Sequence, residues 1–421
     1  MAGGDALSPP IIVIGAGPAG CTAARALARD GHHVHLIEGG PIIEPPPSPD
    51  VFEALARYGR TDLMAIRTEA QQPRSYAAAA GVGGSALVNG MLNMAPDPHA
   101  LAEAWGVPGW DEQRIRQSVA RTRPGATPAV ASAERSRLDS VIDELSGSTG
   151  AAYFGARDRR PSWTFEPNVV LTTNTRVDQV VRNTVGVVGV VTTSGEMIEA
   201  TRVVLCGGAI ETPRLLWRSD LVHPAIGRNL ADHPSLAFTV PGSYSTRRAT
   251  RVALMPSTPH GDNDILITSY DRNELVLLTL LRAKSRGWLT ADMIHLNQLS
   301  QPEDRAALRS GVRQLALCLP QATGPDGTSL DQISRVSNDD LDRWMLYHED
   351  GTYHVAGTCR MGVSAKDSVV DPNGRVFGVP GLIIADASVF PSLPLAAPQA
   401  TVMAVADAIV AALSSPPLSA A

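Results

Sequence analysis

The feature that most constrains the fold is a strand–turn–helix–strand unit at residues 11–38, IIVIGAGPAGCTAARALARDGHHVHLIE. A short β-branched run opens it, and alanine and leucine residues then recur at helical spacing. The turn between them carries Gly15, Gly17 and Gly20 in the G-x-G-x-x-G spacing, and Glu38 closes a second predicted strand. Together these parts predict a Rossmann-like α/β domain that binds a dinucleotide.

Each residue of this fingerprint has a physical reason. Gly15 permits the tight turn, Gly17 lets a pyrophosphate approach the backbone, and Gly20 lets helix and strand pack closely. The N-terminus of the helix offers unpaired N–H groups to the phosphates. Glu38 follows at the distance where a carboxylate accepts hydrogen bonds from ribose hydroxyls. The fingerprint alone does not separate FAD from NAD, because both cofactors use it.

Composition narrows the class of protein. The 421 residues carry a net charge of −6 and no long basic run, so we expect no nucleic-acid partner. The four cysteines are far apart and show no CxxC spacing, which argues against a metal site. No stretch is apolar over the roughly 18 residues of a membrane span, and MAGGDALSPP does not resemble a signal peptide. We therefore expect a cytoplasmic protein.

A second glycine-rich loop follows at residues 81–95, GVGGSALVNGMLNMA. Gly83 and Gly84 carry no side chain, so another group can approach their backbone closely. Backbone N–H groups of such a turn bind phosphate or ring oxygens. Ser85 and Asn89 add directed polar contacts, and Asn-Gly at residues 89–90 favours a turn. On its own this loop is also compatible with a plain structural turn.

The third informative segment is residues 353–406, from YHVAGTCRMG to PQATVMAVA. It contains a turn, a short apolar strand and, from about Thr401 to Leu413, an apolar helix. His354 stands in a Gly- and Thr-rich loop, where an isolated histidine is more often structural than catalytic. The segment alone therefore leaves the role of His354 open.

Four blocks of the chain, taken in order, resemble the glucose–methanol–choline (GMC) oxidoreductases, FAD enzymes that oxidise alcohols. The blocks are the fingerprint ending at Glu38, VGGSALVNGM, VVLCGGAIETPRLL with IGRNLADHP at residues 203–234, and the 353–406 segment. SRGWL and LSQPEDRAALRSGV also resemble parts of the family's substrate domain. The resemblance covers most of the chain.

The resemblance implies a set of FAD-binding residues and no metal site. The set is Gly15, Gly17, Pro18, Ala19, Gly20, Glu38, Gly83, Gly84, Ser85, Asn89, Gly90, Met91, Val177, Gly208, Asp386, Ala387 and Pro398. Some members attach the flavin covalently through a histidine just before the asparagine of the second loop. That position is Val88 here, so we expect FAD to be bound noncovalently.

The same resemblance implies oxidation of an alcohol to an aldehyde or ketone, with hydride transfer to flavin N5 and His354 as general base. The family's second catalytic position, usually histidine or asparagine, is Ala397 here, so its side chain is missing. His99, His233 and His348 match no catalytic position. Two alternatives stay open: a non-redox lyase or isomerase with FAD as scaffold, and a flavoprotein that has lost catalysis. The substrate and the electron acceptor, oxygen or another carrier, are not readable.

The family also implies an α/β fold class. The chain is expected to form two domains in an α+β arrangement. A discontinuous FAD-binding domain is expected at residues 1–95, 165–234 and 350–415. A substrate domain with a mixed or antiparallel sheet is expected at 235–345, with a helical and loop connection at 96–164. Family members are usually longer, so the substrate domain is shortened, a feature of short bacterial members in specialised metabolism.

Overall fold

In the computed structural model, the described part of the chain comprises residues 9–44, 50–60, 62–90, 92, 94–122, 152–155, 163–242, 249–257, 264–270 and 274–413. Its helices are α1 (Pro18–Arg29), α2 (Val51–Tyr58), α3 (Pro98–Trp105), α4 (Glu112–Thr122), α5 (Gly208–Arg218), α6 (Pro302–Cys318), α7 (Leu330–Arg335), α8 (Asn338–His348) and α9 (Gln399–Ala411). Its strands are β1 (Ile11–Ile14), β2 (Val34–Ile37), β3 (Gly59–Arg60), β4 (Met64–Ile66), β5 (Arg74–Ser75), β6 (Ala78–Ala79), β7 (Ala152–Gly155), β8 (Val169–Thr172), β9 (Val177–Arg182), β10 (Val187–Thr192), β11 (Met197–Glu199), β12 (Val203–Leu205), β13 (Ser235–Thr239), β14 (Ala249–Met255), β15 (Ile265–Tyr270), β16 (Leu275–Leu280), β17 (Trp288–Leu289), β18 (Ile294–His295) and β19 (Leu382–Ile384).

The first of two five-stranded sheets is parallel, with the strand order β19-β12-β1-β2-β8. Ile12 in the central strand lies between Val203 of β12 and His35 of β2. Ile12 and Val13 are both fully buried, as expected for a strand covered on both faces. The carboxyl ends of all five strands meet at one edge of the sheet.

Two helices from opposite ends of the sequence pack together beside this sheet. α1 contributes Ala23, Ala24 and Leu27, which are completely buried. α9 is buried along most of its length, so the predicted apolar helix near Thr401–Leu413 is confirmed. The small alanine side chains allow the two helices to approach closely, and α4 packs against the other side of α9.

A three-stranded antiparallel sheet, β9-β10-β11, is inserted between β8 and β12. The valine-rich alternation at residues 169–205 predicts strands, and β8 to β12 confirm it. α5 contacts β9, and the Val180 N–H donates to the Ser219 hydroxyl at 2.9 Å. This insertion leads the chain from the edge strand β8 back to β12, next to the central strand.

The second five-stranded sheet is antiparallel, with the order β13-β16-β15-β14-β7. Leu236, Leu278 and Ile267 lie side by side across its strands and are completely buried. They share a core with Leu308 and Val312 of α6. The sheet and α6 to α8 pack around this second core.

Two of these strands differ from the expectation. β7 lies within residues 96–164, where a helical and loop connection is expected, and it pairs with β14 at the edge of the second sheet. β14 itself has no strong strand signal in its sequence, because Ala, Thr and Arg interrupt the apolar alternation. The predicted fold class, a Rossmann-like domain with an antiparallel-sheet domain, is confirmed. Among the described residues, no helix has the length and apolar character needed to cross a membrane.

Candidate active site

Four loops meet at the carboxyl edge of the parallel sheet. They follow β1, β2, β12 and β19 and carry Gly15, Glu38, Gly208 and Asp386, respectively. Asp386 joins two of them, because its Oδ2 accepts hydrogen bonds from the Gly208 N–H at 2.8 Å and the Thr212 hydroxyl at 2.6 Å. In open α/β sheets ligands bind outside the carboxyl ends of the strands. Residues predicted for one cofactor from four distant segments thus share one edge.

Two fingerprint glycines are required by the fold itself. Gly15 has φ +97°, and a β-carbon there would lie 2.7 Å from the Cys206 carbonyl oxygen. A β-carbon on Gly20 would lie 1.8 Å from the Gly15 carbonyl oxygen. Gly17 differs, since its nearest neighbour would be Gly84 Cα at 3.9 Å. Gly17 therefore leaves room for a ligand at the start of α1. Pro18 and Ala19 are the first two residues of α1.

Glu38 is 8% exposed and ties three loops together. Its Oε2 accepts the Ala16 N–H at 2.7 Å, and its Oε1 accepts those of Gly40 at 2.9 Å and Gly81 at 3.1 Å. A carboxylate offers about four acceptor positions. One position on Oε2 therefore stays available for a further donor, such as a hydroxyl.

The second glycine-rich loop contacts the fingerprint directly. Gly83 (φ +110°) and Gly84 (φ +48°) both have left-handed backbone conformations. The Gly83 N–H donates to the Ala16 carbonyl at 2.7 Å, and a β-carbon on Gly84 would lie 2.8 Å from Gly17 Cα. Ser85, exposed, lies in the 3₁₀ turn that follows. Gly84 must therefore lack a side chain for the two loops to meet.

The end of this loop is held from two directions. The Asn89 amide donates a hydrogen bond to the Gln399 side-chain oxygen at the start of α9. A β-carbon on Gly90 would lie 2.9 Å from the hydroxyl oxygen of Tyr270, at the end of β15. Burial raises the pKa of Tyr270 to about 12. The loop thus links the parallel-sheet body to the second sheet.

Three further residues of the predicted FAD set lie at the start of secondary-structure elements. Val177 is 4% exposed and begins β9, Ala387 follows Asp386, and Pro398 is the N-cap of α9. Val88, the position relevant to covalent attachment, is buried. Met91 lies outside the described residues.

His354 is paired with a second histidine. Its Nδ1 lies 3.0 Å from Nδ1 of His233, and the two rings are perpendicular at 5.3 Å between centroids. His233 is completely buried, whereas His354 is partly exposed. Nε2 of His233 lies 3.2 Å from the Pro394 carbonyl oxygen. Three segments, around residues 233, 354 and 394, therefore meet at this pair.

Asp232 fixes the backbone of both histidines. Its Oδ1 accepts the N–H groups of His233 and His354, both at 2.8 Å, and the Thr352 hydroxyl at 3.1 Å. Its Oδ2 is buried without a hydrogen-bond partner among the described residues. Burial raises the pKa of Asp232 to about 6 and lowers the pKa of His354 to about 4. His354 is therefore a neutral base at ordinary pH.

A second buried carboxyl lies near Asp232. Glu349 is completely buried, and the Gln298 side-chain amide donates to its two oxygens at 2.8 and 2.9 Å. The Ser235 N–H donates to Glu349 at 3.2 Å. Burial raises the pKa of Glu349, and Arg67, whose Nε donates to the Asp350 carbonyl, opposes the shift. This polar layer lies next to the two loops that carry the histidines.

Position 397 lies between two of these contacts. Ala397 is 7% exposed and comes after Pro394, which binds His233, and before Gln399, which binds Asn89. The neighbouring Leu395 belongs to an apolar cluster between the loops and the second sheet. That cluster comprises Leu92, Met94, Val252, Leu254, Leu266, Leu281 and Leu395. The surroundings of this segment are thus mainly apolar.

His233, Asp232 and Glu349 were not predicted as parts of the site. His233 belongs to the LADHP stretch, which resembles a family loop near the cofactor. This resemblance is the sequence signal that could have identified His233 as part of the site. It stands 121 residues before His354, so no spacing rule connects the two. The contact arises because the Asp232 carboxylate holds both loops.

Comparison with known families agrees with this architecture. Residues 160–235 and 281–406 match the two parts of the family described as GMC oxidoreductase. Residues 9–82 match the family described as pyridine nucleotide-disulphide oxidoreductase. The two GMC matches include both His233 and His354, and the third match includes the glycine fingerprint.

Similar proteins are longer but correspond to nearly the whole chain. A 5-(hydroxymethyl)furfural oxidase of Methylovorus sp. is 25% identical, over 96% of this chain and 98% of that protein. An oxygen-dependent choline dehydrogenase of Pseudomonas putida is 25% identical, over 94% and 92%. The first alignment extends over 539 positions, so that relative contains segments with no counterpart among the 421 residues here.

Solved structures show the same fold. Pyridoxine 4-oxidase from Mesorbium loti superimposes with a TM-score of 0.81 at 22% identity, covering 96% of this chain and 99% of that one. A formate oxidase variant from Aspergillus oryzae gives 0.78 at 20% identity, covering 96% and 98%. The chain belongs to the GMC oxidoreductase family, and the prediction of an oxidoreductase is confirmed.

Proposed function

We propose that this chain binds FAD noncovalently and oxidises an alcohol to an aldehyde or ketone, with His354 as general base. The observation that carries the proposal is the linkage of His354, through His233 and the 394–399 segment, to Asn89 of the second glycine-rich loop. The base and the predicted flavin loop thus belong to one connected site. Membership of the GMC family supports the same reading.

The residues at the carboxyl edge fit FAD. A β-carbon on Gly17 would meet only Gly84 Cα, at 3.9 Å, and the N-terminus of α1 has no side-chain cap, so its N–H groups are suited to a pyrophosphate. Glu38 keeps one acceptor position for a ribose hydroxyl. Val88 has a hydrocarbon side chain, which supports noncovalent binding.

Bound FAD supplies a two-electron acceptor for the hydride of the alcohol carbon. The protein supplies the base, since an alcohol does not lose its hydroxyl proton near neutral pH unaided. His354 is suited to take that proton at Nε2, because this nitrogen has no protein partner within the described chain. The lowered pKa of His354, caused by burial, keeps the ring unprotonated before the substrate arrives.

Ala397 favours a second candidate, a flavoprotein that does not oxidise alcohols and acts as a lyase or isomerase or without catalysis. The methyl side chain cannot donate a hydrogen bond to a developing alkoxide, a contact that is worth about 3 kcal/mol in comparable sites. We do not assign the role of this missing donor to Gln399, because its side-chain oxygen accepts a hydrogen bond from Asn89. The two candidates differ in whether substrate reduces the flavin.

Anaerobic flavin reduction tests the proposal. Purified protein, loaded with FAD, is mixed with a panel of alcohols that includes 5-(hydroxymethyl)furfural, pyridoxine and choline. Loss of the oxidised flavin absorbance with at least one alcohol, and not with the matching ether, is the expected result. Acid precipitation should release intact FAD into the supernatant. Full retention of colour with every alcohol would favour the second candidate, and flavin in the pellet would contradict noncovalent binding.

A further inference from the structure

The contact between the two histidines determines where protons sit. Nδ1 of His233 and Nδ1 of His354 are 3.0 Å apart, which is a hydrogen-bond distance. A hydrogen bond between two imidazole nitrogens needs one proton and one lone pair. A neutral imidazole carries a single N–H, so the proton on each ring follows from what its other nitrogen contacts.

The other nitrogen of His233 contacts a carbonyl. Nε2 lies 3.2 Å from the Pro394 oxygen, and a carbonyl oxygen only accepts, so Nε2 must carry the proton. Complete burial, together with His354 and the nearby guanidinium of Arg286, lowers the pKa of His233 well below its ordinary value, although the Pro394 and Leu281 carbonyls oppose this. His233 is therefore neutral, and its Nδ1 presents a lone pair to His354.

His354 must then donate from Nδ1. Its own neutral ring places the single proton on Nδ1, toward His233, and leaves a lone pair on Nε2. Within the described part of the chain, Nε2 of His354 has no protein hydrogen-bond partner. Asp232 does not change this assignment, because its Oδ1 binds the backbone N–H groups of the two histidines rather than their rings.

We propose that His233 is a positioning residue that holds His354 in the Nδ1–H tautomer, so that Nε2 is the atom that receives the substrate proton. The proposal rests on the function proposed above. During the step the substrate O–H bond breaks, an N–H bond forms at Nε2, and the Nδ1–H bond to His233 is kept. The backbone carbonyl of Pro394 thus determines, through His233, that the lone pair of neutral His354 lies on Nε2.

The arrangement differs from a base oriented by a carboxylate. An ionised carboxylate next to an imidazole raises the histidine pKa, because it stabilises the imidazolium. A neutral, buried imidazole orients the base without that charge. His354 therefore keeps its orientation and stays unprotonated to lower pH than a carboxylate-oriented histidine.

Nitrogen NMR tests the assignment directly. The FAD-loaded protein is labelled with ¹⁵N-histidine, and the two rings are assigned with His354→Ala and His233→Phe. We expect a protonated Nδ1 and a free Nε2 on His354, and the reverse pattern on His233. A proton on Nε2 of His354 in the neutral protein would overturn the proposal. This readout needs no turnover, so it is separate from failure of the proposed reaction.

Two variants of His233 supply a kinetic test. His233→Phe keeps a ring of similar size but removes the acceptor, whereas His233→Asn returns an oxygen near the Nδ1 position. We expect His233→Phe to retain FAD, but its flavin to be reduced by substrate roughly 10²–10⁴-fold more slowly than in the unmodified protein. Flavin reduction in His233→Asn should be at least tenfold faster than in His233→Phe. His99→Phe, at an exposed position, is the matched control. Equal rates in His233→Phe and the unmodified protein, or no recovery in a folded His233→Asn, would count against the proposal.

Discussion

Glu38 and Asp232 are both buried carboxylates that hold loops by their backbone N–H groups, one in the fingerprint region and one below the histidine pair. Glu38 uses both oxygens and keeps one acceptor position for a ligand. Asp232 uses only Oδ1, and its Oδ2 has no partner among the described residues. In the function proposed above, the first carboxylate belongs to the cofactor-binding surface and the second supports the proposed base.

The difference shows how two carboxyls of similar burial serve different purposes. Burial raises the pKa of Asp232 to about 6, because the hydrogen bonds to Oδ1 alone do not compensate for the desolvation of the charged form. Below about pH 6 Asp232 is largely protonated and puts little negative charge next to His354, whereas above that pH its carboxylate is ionised. Substitutions at Glu38, His354, Asp232 and Ala397 test this contrast, in order of decreasing effect.

Glu38→Ala should abolish FAD retention. The change leaves the N–H groups of Ala16, Gly40 and Gly81 without their acceptor, at a cost of roughly 1–3 kcal/mol for each group that stays dry. Flavin absorbance after gel filtration and thermal unfolding measure the two effects. Glu44→Ala, at an exposed position in the same region, is the control. Normal FAD content in Glu38→Ala would mean that Glu38 has no part in the cofactor site.

His354→Ala should keep FAD and slow its reduction by roughly 10²–10⁴-fold, the usual effect of a positioned general base. Stopped-flow absorbance under anaerobic conditions measures the rate, with His348→Ala as control. Because burial lowers the pKa of His354 to about 4, the base form persists above that pH. The unmodified kcat/KM should therefore be flat from neutral pH to about pH 5. A decline that begins near pH 6.5 would identify a different base.

Asp232→Asn should change how stability depends on pH. The pKa of Asp232 is about 6 in the folded protein, above its ordinary 3.8, so its contribution to stability is present at low pH and falls as pH rises between these values. The amide has no such dependence. The variant should gain stability relative to the unmodified protein across this window, by at most about 1.4 kcal/mol per pH unit.

Denaturant unfolding at pH 4, 5, 6 and 7 measures the effect of Asp232→Asn. Asp232→Ala is the matched comparison, because it also removes the acceptor for the N–H groups of His233 and His354. It should be less stable than the Asn variant at every pH. If the free energies of unfolding of Asp232→Asn and the unmodified protein changed with pH in parallel, folding would not raise the pKa of Asp232, and the prediction would be wrong.

Ala397→Asn should have the smallest effect. The segment adjoins the apolar cluster that contains Leu395, where an added amide has few partners. We expect weaker substrate binding by a few fold and a change of less than tenfold in the rate of flavin reduction. Ala397→Val separates added volume from added polarity. A large rise in rate with Asn alone would show that the missing donor limits the reaction.

The fingerprint and the second glycine loop could be predicted from sequence because their chemistry is local. Gly15, Gly17 and Gly20 stand within six residues, and a backbone approach excludes a side chain at Gly15 and at Gly20. The strands of the parallel sheet were also predictable, since they are apolar on both faces. The direct contact between Gly17 and Gly84 was not, because the two loops are separated by several elements.

The arrangement around His354, the proposed base, was less predictable from the sequence. The family resemblance singles out His354, but the pairing with His233 depends on Asp232 and on the Pro394 carbonyl, a backbone atom that no residue pattern reveals. Tyr270 reaches Gly90 only because β15 ends there. Spatial neighbours from separate domains are set by the packing of whole sheets, and single-sequence periodicity does not report that packing.

The edge that gathers Gly15, Glu38, Gly208 and Asp386 has a consequence for biosynthesis. Its last contributors, β19 and α9, are made after nearly all of the chain has left the ribosome. The growing polypeptide therefore cannot form this edge of the sheet early, because β1 and α1 precede β19 and α9 by more than 350 residues. Until β19 and α9 are available, the central strands lack part of their native neighbours, so we expect this edge of the sheet to form late in folding.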